Sequence, residues 1–426
     1  MTRNATRSCA PPHALAPIRQ PTYADFVPLL NKTQTHSVVP GAGLTRLRVA
    51  ITVFFALDGF IFAGWVVRIP DIKQQTHASA SALGLALLGV SAGAVVTMTL
   101  TGRLCGRYGS HPVTVVCAAL LSLSVILPPL THSAAALGAV LLLFGAAYGG
   151  LNVAFNSAAV DLVAALRRPV MPSFHAAFSL GGMAGAGLGG LVAGVLSPTR
   201  HLLGITLVGL VVTAVAGPAL LRYEAPVTPE RREAGPEGGA RRAGGRTRGL
   251  VVVFGLVALC TAYGEGAMAD WGALHLQQNL AASSGTAAAG YACFALAMTI
   301  GRLSGTALLE RFGRARTVIA GGTTAAAGML LGSLAPSVWA ALIGFAVTGL
   351  GLANLFPVAV ERAGALAGPS GVAVASTLGY GGMLLGPPAI GFMADWFSLP
   401  TALTSVAALA AVAALIGVTT RSVMRG

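Results

Sequence analysis

Long apolar stretches alternate with short polar breaks along most of this chain. From about residue 49 onwards, runs of mainly apolar residues recur at short intervals, and most charged residues gather in the breaks between them. An α-helix needs roughly 20 apolar residues to cross the hydrocarbon core of a bilayer. The pattern therefore predicts twelve transmembrane helices, at residues 49–67, 81–101, 112–130, 134–160, 172–196, 202–221, 250–274, 286–308, 316–335, 337–360, 371–394 and 400–420.

The composition of the 426 residues agrees with this pattern and excludes other classes of protein. Apolar residues make up 55% of the chain and charged residues only 9%, whereas about a quarter of a typical soluble protein is charged. A soluble enzyme, a coiled coil or a disordered chain does not carry so much apolar surface. We therefore predict an all-α integral membrane protein that crosses the bilayer many times.

Two polar segments divide the chain. Residues 1–45 are polar, are interrupted by prolines and lack the apolar core of a secretory signal, so we expect a disordered cytoplasmic tail. Residues 223–249 combine arginines with glycine, proline and glutamate, which is typical of a flexible linker. The predicted organisation is a tail at 1–45, a six-helix bundle at 46–222, a basic cytoplasmic linker at 223–249 and a second six-helix bundle at 250–421.

The basic residues predict the orientation in the membrane. With both termini and the linker in the cytoplasm, all 27 lysines and arginines except Arg68, Lys73 and Arg200 fall on the cytoplasmic side, as the positive-inside rule requires. The net charge of +14 therefore reflects loops on one membrane face. We expect no nucleic-acid partner, because the basic residues are confined to these loops and form no basic groove.

The two halves of the chain share short motifs in the same order. Arg107-Tyr108-Gly109 follows the second apolar run and Arg311-Phe312-Gly313 follows the eighth. Gly181-Gly182-Met183 in the fifth run matches Gly381-Gly382-Met383 in the eleventh. Parallel repeats of this kind are typical of transporters in which two bundles face a central site. The repeat therefore predicts a body that rocks between states open to opposite sides of the membrane.

The loop from Gly102 to Gly109 resembles the signature of the major facilitator superfamily, although Gly106 stands where the signature has an aspartate. A second copy runs from Arg302 to Arg314, with Thr306 at the equivalent position. Within the superfamily, the chain resembles most a bacterial YbjJ-like branch related to the fucose permeases. The segments that carry this second resemblance are residues 65–70, 152–161, 174–182, 265–271, 379–381 and 386–388. The resemblance implies a multi-pass protein of the bacterial cell membrane, and we expect it to be a monomer.

Three acids are candidates for proton coupling or solute binding. Asp58 lies about midway along the first predicted helix, where an ionised carboxylate costs roughly 2.5–3.5 kcal/mol on insertion scales. Its carboxyl group could therefore bind and release a proton, and a protonated packing residue is the alternative. Glu265 is its equivalent in the seventh helix, and its flanking glycines would allow that helix to open. Asp270 and Trp271 belong to the same motif, and the alternative for Asp270 is an acid on the outer surface.

Two amides and one histidine complete the candidate binding residues. Asn152 and Asn156 lie one turn apart on the fourth predicted helix, so they share a face and could hydrogen-bond a polar solute. Hydrogen bonds between helices are the alternative. His175, near the cytoplasmic end of the fifth helix, could titrate near neutral pH, or it could be an interfacial histidine with no such role.

The superfamily resemblance also implies a gate on the cytoplasmic side. By this resemblance, acids at the inner ends of the fourth and tenth helices pair with the signature arginines and hold the two bundles together. Here the acids are Asp161 and Glu361, and the arginines are Arg107 and Arg311. The other residues assigned to this gate are Gly102, Gly109, Arg302 and Gly313.

The glycine-rich run at residues 185–190 superficially resembles a nucleotide-binding loop. It follows no predicted strand and lies inside a predicted membrane helix, so we interpret it as a surface for close helix packing. The run also resembles the fifth-helix motif of drug/proton antiporters, with Ala186 where that motif has proline. This second resemblance is the reason to keep export as an alternative.

We predict a secondary active transporter that couples the movement of a small solute to protons. Uptake of a sugar-like or other small polar solute is favoured, and proton-driven export of a drug or metabolite is the alternative. A non-transporting sensor or a membrane enzyme is a remote alternative, since no nucleophile–base set is evident. No Walker lysine motif is present, and the five cysteines have no CxxC or metal-ligand spacing. We therefore expect no cofactor, no metal and no ATP requirement.

Overall fold

The computed structural model describes residues 1–2, 41–78, 80–223 and 245–424. Most of the predicted tail and linker lies outside these residues. The last residues of the predicted tail and of the predicted linker are helical in the structure: one helix begins at Gly41 and another at Gly245. Residues 41–45 and 245–249 therefore belong to helices and not to the predicted tail and linker.

The described residues form α-helices and one short 3₁₀ turn at Pro128–Leu130. The helices are α1 Gly41–Val66, α2 Ile69–Gln75, α3 Ala80–Tyr108, α4 Ser110–Ser124, α5 Ala134–Leu166, α6 Met171–Ala193, α7 Pro198–Leu221, α8 Gly245–Leu280, α9 Ser284–Phe312, α10 Arg314–Leu334, α11 Val338–Leu352, α12 Leu355–Trp396, α13 Leu399–Thr419 and α14 Arg421–Met424. Serine side chains cap α5, α7, α9, α11 and α13 by accepting a hydrogen bond from a backbone N–H of the first turn.

Eleven stretches of the described chain are long and apolar enough to cross a membrane. Ten of them coincide with predicted helices. The remaining stretch, Val338–Trp396, has 59 residues and covers the other two predicted helices. One crossing needs only roughly 20 residues. Within it α12 is interrupted at Ala367 and at Gly368, where φ is 58°. Pro369 follows directly and disfavours helical geometry in the residue before it, which gives this interruption a local cause.

The two signature loops form the same tight turn. Gly109 separates α3 from α4 with a φ of 87°, and Gly313 separates α9 from α10 with a φ of 78°. Glycine adopts these angles without the steric penalty that a Cβ atom brings. The repeated motif therefore marks a repeated backbone shape.

Glycines bring α1 and α6 into backbone contact. A Cβ atom added at Gly59 would lie 2.1 Å from the Phe178 carbonyl oxygen, and one added at Gly185 would lie 2.3 Å from that of Phe60. The C-terminal half repeats this contact between α8 and α12, where a Cβ at Gly382 would lie 2.3 Å from the Leu259 oxygen. Small residues let membrane helices approach this closely. The structure thus confirms close packing at Gly185 within the predicted glycine run.

Most helix packing lies within the N-terminal half, α1–α7, or within the C-terminal half, α8–α14. Contacts between the halves involve mainly α12 with α3, α5 and α6, and α9 with α6. A Cβ atom at Gly102 would lie 2.8 Å from the Ala373 methyl group, and one at Gly305 would lie 2.5 Å from the Pro172 ring. We call this region, with Gly102, Pro172, Gly305 and Ala373, the closed side.

Close packing at Gly185 can be tested with a neighbouring glycine as the control. We expect Gly185→Val to lower the thermal stability of the protein in detergent, because overpacking typically costs about 1–3 kcal/mol. Gly187→Val should have little effect, since a Cβ atom there would meet nothing within 4 Å. Fluorescence-detected size-exclusion chromatography after stepwise heating measures both variants. Equal stability of the two variants would contradict the assigned packing surface.

Candidate functional site

Six helices each contribute one polar residue to a cluster between the two halves. We call this the polar cluster. It consists of Asp58 on α1, Tyr148 on α5, Ser179 on α6, Glu265 on α8, Arg302 on α9 and Tyr380 on α12. Hydrogen bonds or electrostatic interactions connect its members. Two of the predicted coupling acids therefore lie in one connected site.

Asp58 is buried in this cluster, with 0% of its surface exposed. Neither of its carboxylate oxygens has a hydrogen-bond partner in the described part of the chain. The nearby phenols of Tyr148 and Tyr380 interact with it electrostatically. An ionised carboxylate without partners is strongly disfavoured at such a site, so the neutral acid fits this environment.

Tyr148 and Tyr380 join the two halves of the protein beside Asp58. Their phenol groups interact electrostatically with each other, and their rings meet edge to face with centroids 5.9 Å apart. Phe62 of α1 stacks on Tyr148 from the other side, at 4.9 Å. Both phenols also interact electrostatically with Glu265. The tyrosine pair therefore interacts with both acids of the polar cluster.

Arg302 forms a second polar connection between the halves. Its Nη2 donates to Glu265 Oε1 at 2.9 Å, and its Nη1 donates to Ser179 Oγ at 2.8 Å. The Arg302 side chain is 9% exposed, and that of Glu265 is 32% exposed. The sequence grouped Arg302 with the gate arginines, but the structure places it with the predicted coupling acid Glu265.

The other predicted binding residues lie in different surroundings. His175 is buried between the rings of Phe55 and Phe356, with ring centroids 5.3 and 5.6 Å away. Asn156 is fully buried, and its amide nitrogen donates to the backbone oxygen of Asn152 at 2.8 Å. Its side-chain oxygen has no partner among the described residues.

The last two predicted binding residues lie further along α8. Asp270 is exposed and interacts electrostatically with Tyr291 of α9. Trp271 is half-buried and packs against α12 at Gly391. The structure thus brings Asp58 and Glu265 together but leaves Asp270 outside the polar cluster.

The predicted gate pairing is corrected in the C-terminal half. Glu361 is 3% exposed and accepts a hydrogen bond from Arg314 Nε at 2.8 Å, so its partner is Arg314 and not Arg311. Arg314 begins α10 directly after the Gly313 turn, which directs it towards α12, whereas Arg311 lies over the Phe312 ring.

The first signature arginine behaves like its counterpart in the second copy. Arg107 is exposed and lies over the Tyr108 ring, 5.3 Å from its centroid. Asp161, its predicted partner, is half-buried on α5. Gly102 lies in the closed side, where a gate between the halves is expected.

Sequence reasoning missed an ion pair that connects the halves near the closed side. Arg168, just after α5, donates from Nε to Glu310 Oε1 of α9 at 2.8 Å. This hydrogen bond, and then the charge of Glu310, raise the pKa of Arg168. Both side chains are exposed, so solvent and salt screen the pair and it can open readily.

Sequence reasoning also missed Tyr148, Ser179 and Tyr380 as site residues. One available signal is the tripeptide Tyr-Gly-Gly, which occurs at both 148–150 and 380–382. Within the described residues, no group of three or more histidines, cysteines, aspartates or glutamates has the arrangement of a metal site. The carboxyl, guanidinium, phenol and hydroxyl groups of the polar cluster are hydrogen-bonding groups, and its carboxyl groups can also bind protons.

Comparisons with known proteins agree with this architecture. The Major Facilitator Superfamily matches residues 49–268 and 254–425. An uncharacterized MFS-type transporter of Yersinia pestis is 34% identical over 381 residues, which cover 88% of this chain and 96% of that protein.

Two solved structures show the same fold. The E. coli fucose:proton symporter FucP matches with a TM-score of 0.72 and 15% identity, over 87% of this chain and 97% of that one. An MFS transporter FucP in the outward conformation matches with a TM-score of 0.71 and 16% identity, over the same shares of the two chains. The sequence matches, together with the fold, establish that this chain belongs to the major facilitator superfamily and is a membrane transporter, not an enzyme.

Proposed function

We propose that this protein is a proton-coupled transporter of a small polar solute, working by alternating access in the bacterial plasma membrane. In this proposal twelve transmembrane helices form two six-helix bundles, and the 59-residue stretch Val338–Trp396 crosses the membrane twice. Residues 1–40, the part of the predicted tail that precedes α1, are cytoplasmic. The linker between the halves and both termini are cytoplasmic, as the positive-inside rule favours.

The closed side is the cytoplasmic side in this proposal, so the protein is open outward. The loops that carry Arg107, Arg168 and Arg311 belong to this end of the molecule, and they are the basic loops of the sequence. The fold match to FucP in the outward conformation supports the same assignment. The gate then consists of the Gly102–Ala373 contact and the Arg168–Glu310 pair, while the Glu361–Arg314 pair joins α12 to α10 within the C-terminal half.

The burial of Asp58 beside the tyrosine pair is the observation that carries proton coupling. Among the described residues Asp58 has no hydrogen-bond partner that would stabilise its charge, so a proton must accompany it whenever the site is closed to water. Tyr148 and Tyr380, which interact with it, belong to opposite halves. Protonation of Asp58 therefore changes the stability of a contact that alternating access has to break.

Glu265 is the second coupling group, because its ion pair with Arg302 also connects to Ser179 in the other half. Solute binding is assigned to Glu265, with Asn152, Asn156 and Trp271 as further predicted solute contacts. Uptake is the proposed direction, in line with the printed description of FucP as a fucose:proton symporter. The YbjJ-like branch within the superfamily stays a prediction.

Proton coupling can be tested through external pH. In lightly buffered, de-energised cells that express the protein, addition of a transported solute should make the medium more alkaline, because protons enter with it. Pools of sugars, amino acids, organic acids and amphipathic drugs serve as the added solutes. The double variant Asp58→Asn with Glu265→Gln should abolish the pH change. Asp395→Asn, which changes an exposed acid at the end of α12, is the matched control.

The outcomes of this experiment separate the candidate directions. Acidification on addition of a solute would show antiport and would make export the function. A pH change of normal size in the double variant would contradict the roles assigned to Asp58 and Glu265.

The gate can be tested with two glycines of α3. We expect Gly102→Val to favour the inward-open state, since its Cβ atom would meet Ala373 of the other half, whereas a Cβ at Gly106 would meet nothing within 4 Å. Val160 is buried and packs against Gly364 of the other half. Opening of the gate is reported by the variant Val160→Cys, made in a background without the five native cysteines. Its alkylation from the cytoplasmic side should be severalfold faster with Gly102→Val than with Gly106→Val. Equal rates would refute the gate.

A further inference from the structure

We propose that the transported solute carries a carboxylate or a similar anionic group, which Arg302 binds in place of Glu265 while Glu265 takes up a proton. This inference rests on the proposed function and adds the class of solute. It assigns Arg302 as the solute anchor and Glu265 as a proton acceptor that competes with the solute for the same cation.

The first observation is that Arg302 is buried and that its Nε–H donor lacks an acceptor among the described residues. Arg302 is 7% exposed. Its two bonds go to two different acceptors, Ser179 and Glu265. A guanidinium group has five N–H donors in a fork that matches a carboxylate in a two-pronged manner. Arg302 therefore has N–H donors available for a further planar acceptor.

Arg68 shows how this chain satisfies an arginine that is purely structural. Arg68 is 1% exposed, and all three of its nitrogens are engaged. Its acceptors are His201 Nδ1, Asp71 Oδ2 and the carbonyl oxygens of Val192, Ala193 and Leu196. The Val192 and Ala193 carbonyls end α6 and Leu196 follows it, so Arg68 caps a helix. Arg302 lacks such a complete set, which favours a binding role over a structural one.

The second observation is that Glu265 is held loosely enough to be replaced. It accepts from Arg302 through Oε1, and its side chain is 32% exposed. Its neighbours Gly264 and Gly266 place no side chain in the way of a change in its position. A solute carboxylate that reached Arg302 could therefore displace Glu265 without unfolding α8.

Charge balance then couples the solute to a proton. The empty site holds one anion and one cation, Glu265 and Arg302, and is neutral. An anionic solute alone would leave one negative charge in excess, and a proton alone would leave one positive charge in excess. When both bind, the proton forms an O–H bond on Glu265, the solute pairs with Arg302, and the site is neutral again. Since an unpaired charge in a closed membrane site is costly, the empty and the doubly loaded forms are the ones that change state.

The titratable groups around the pair are consistent with this balance. Tyr148 of α5 and Tyr380 of α12 face Glu265, Tyr291 of α9 faces both members of the pair, and His175 of α6 faces Arg302. Asp58 lies beyond the two tyrosines, and Asp270 interacts with Tyr291. These interactions involve no lysine and no second arginine, so a bound anion would depend on Arg302 for its counter-charge.

Binding to the purified transporter tests the inference independently of transport. The probes are matched pairs of solutes, such as hexuronates and aldonates against the parent hexoses and short carboxylates against their amides. The readout is ligand-induced thermal stabilisation in detergent, because a ligand that binds only the folded protein raises its melting temperature. We expect stabilisation by the carboxylate member of at least one pair and not by its neutral counterpart. Its affinity should rise by up to tenfold per unit as the pH falls, since binding takes up one proton.

Three variants make the test specific. Arg302→Gln should weaken carboxylate binding by tenfold or more, Arg302→Lys should retain part of it, and Arg421→Gln, at an exposed arginine, should retain all of it. Glu265→Gln should bind the carboxylate more tightly than the wild type and with little pH dependence, because the competing anion is gone. This variant keeps the inference testable if Arg302→Gln fails to fold.

Three outcomes would overturn the inference, and none of them coincides with failure of the proposed function. Stabilisation by the neutral members alone, or weaker carboxylate binding in Glu265→Gln, would refute the solute class. Proton movement with a neutral solute would leave the proposed coupling intact and would refute the anion. Carboxylate binding with no proton movement in cells would support the anionic solute and would contradict the proposed proton coupling.

Discussion

The cost of charge inside a bilayer is the constraint on which the rest of this structure depends. Ionisable residues within membrane helices survive when they are neutral or paired. This chain uses both solutions within one cluster. Asp58 is buried without a hydrogen-bond partner among the described residues and is suited to the neutral form, while Glu265 is paired with Arg302. The two acids therefore depend on a proton in different ways. Asp58 needs a bound proton to be neutral in its buried site, whereas Glu265 needs one only when it loses its ion pair with Arg302.

Close helix packing makes such a cluster possible. Gly59, next to Asp58, brings α1 against the backbone of α6, where Ser179 follows Phe178. Gly382 brings α12 against α8 in the same way, two residues after Tyr380. The glycines that define each half therefore also set the depth and direction of the polar side chains between the halves. Larger residues at these positions would separate the helices and with them the polar groups.

The contacts between the halves are of a kind that can be broken and remade. The Arg168–Glu310 pair is exposed, and such pairs contribute little to stability. At Gly102 the contact involves a glycine and a methyl group, which have little apolar area to bury. Alternating access requires two states that differ by only a few kcal/mol. A closed side built from small residues and exposed charges meets this requirement better than an interlocked apolar core would.

The sequence predicts the helices well because their lengths follow from the bilayer, and it predicts Asp58 and Glu265 because acids in apolar runs are rare. It fails where a contact depends on the rotation of one helix against another. Arg302 was assigned to the gate from its place in a motif, yet the rotation of α9 directs it to Glu265 and Ser179. In the same way, the turn at Gly313 brings Arg314 to Glu361 in place of Arg311. The interruption at Ala367 and Gly368 falls in the predicted break between the helices at 337–360 and 371–394, and Pro369 gives it a local cause.

Each acid of the polar cluster lies next to a contact that connects the two halves. Asp58 adjoins the Tyr148–Tyr380 pair, and Glu265 holds the arginine that reaches Ser179. A change of protonation or of partner at either acid must therefore alter a contact that the opening of the protein has to break. No separate relay is needed, because Glu265 is bonded directly to Arg302 and Asp58 interacts electrostatically with both tyrosines. Coupling between chemistry and conformation is in this way a property of the cluster itself.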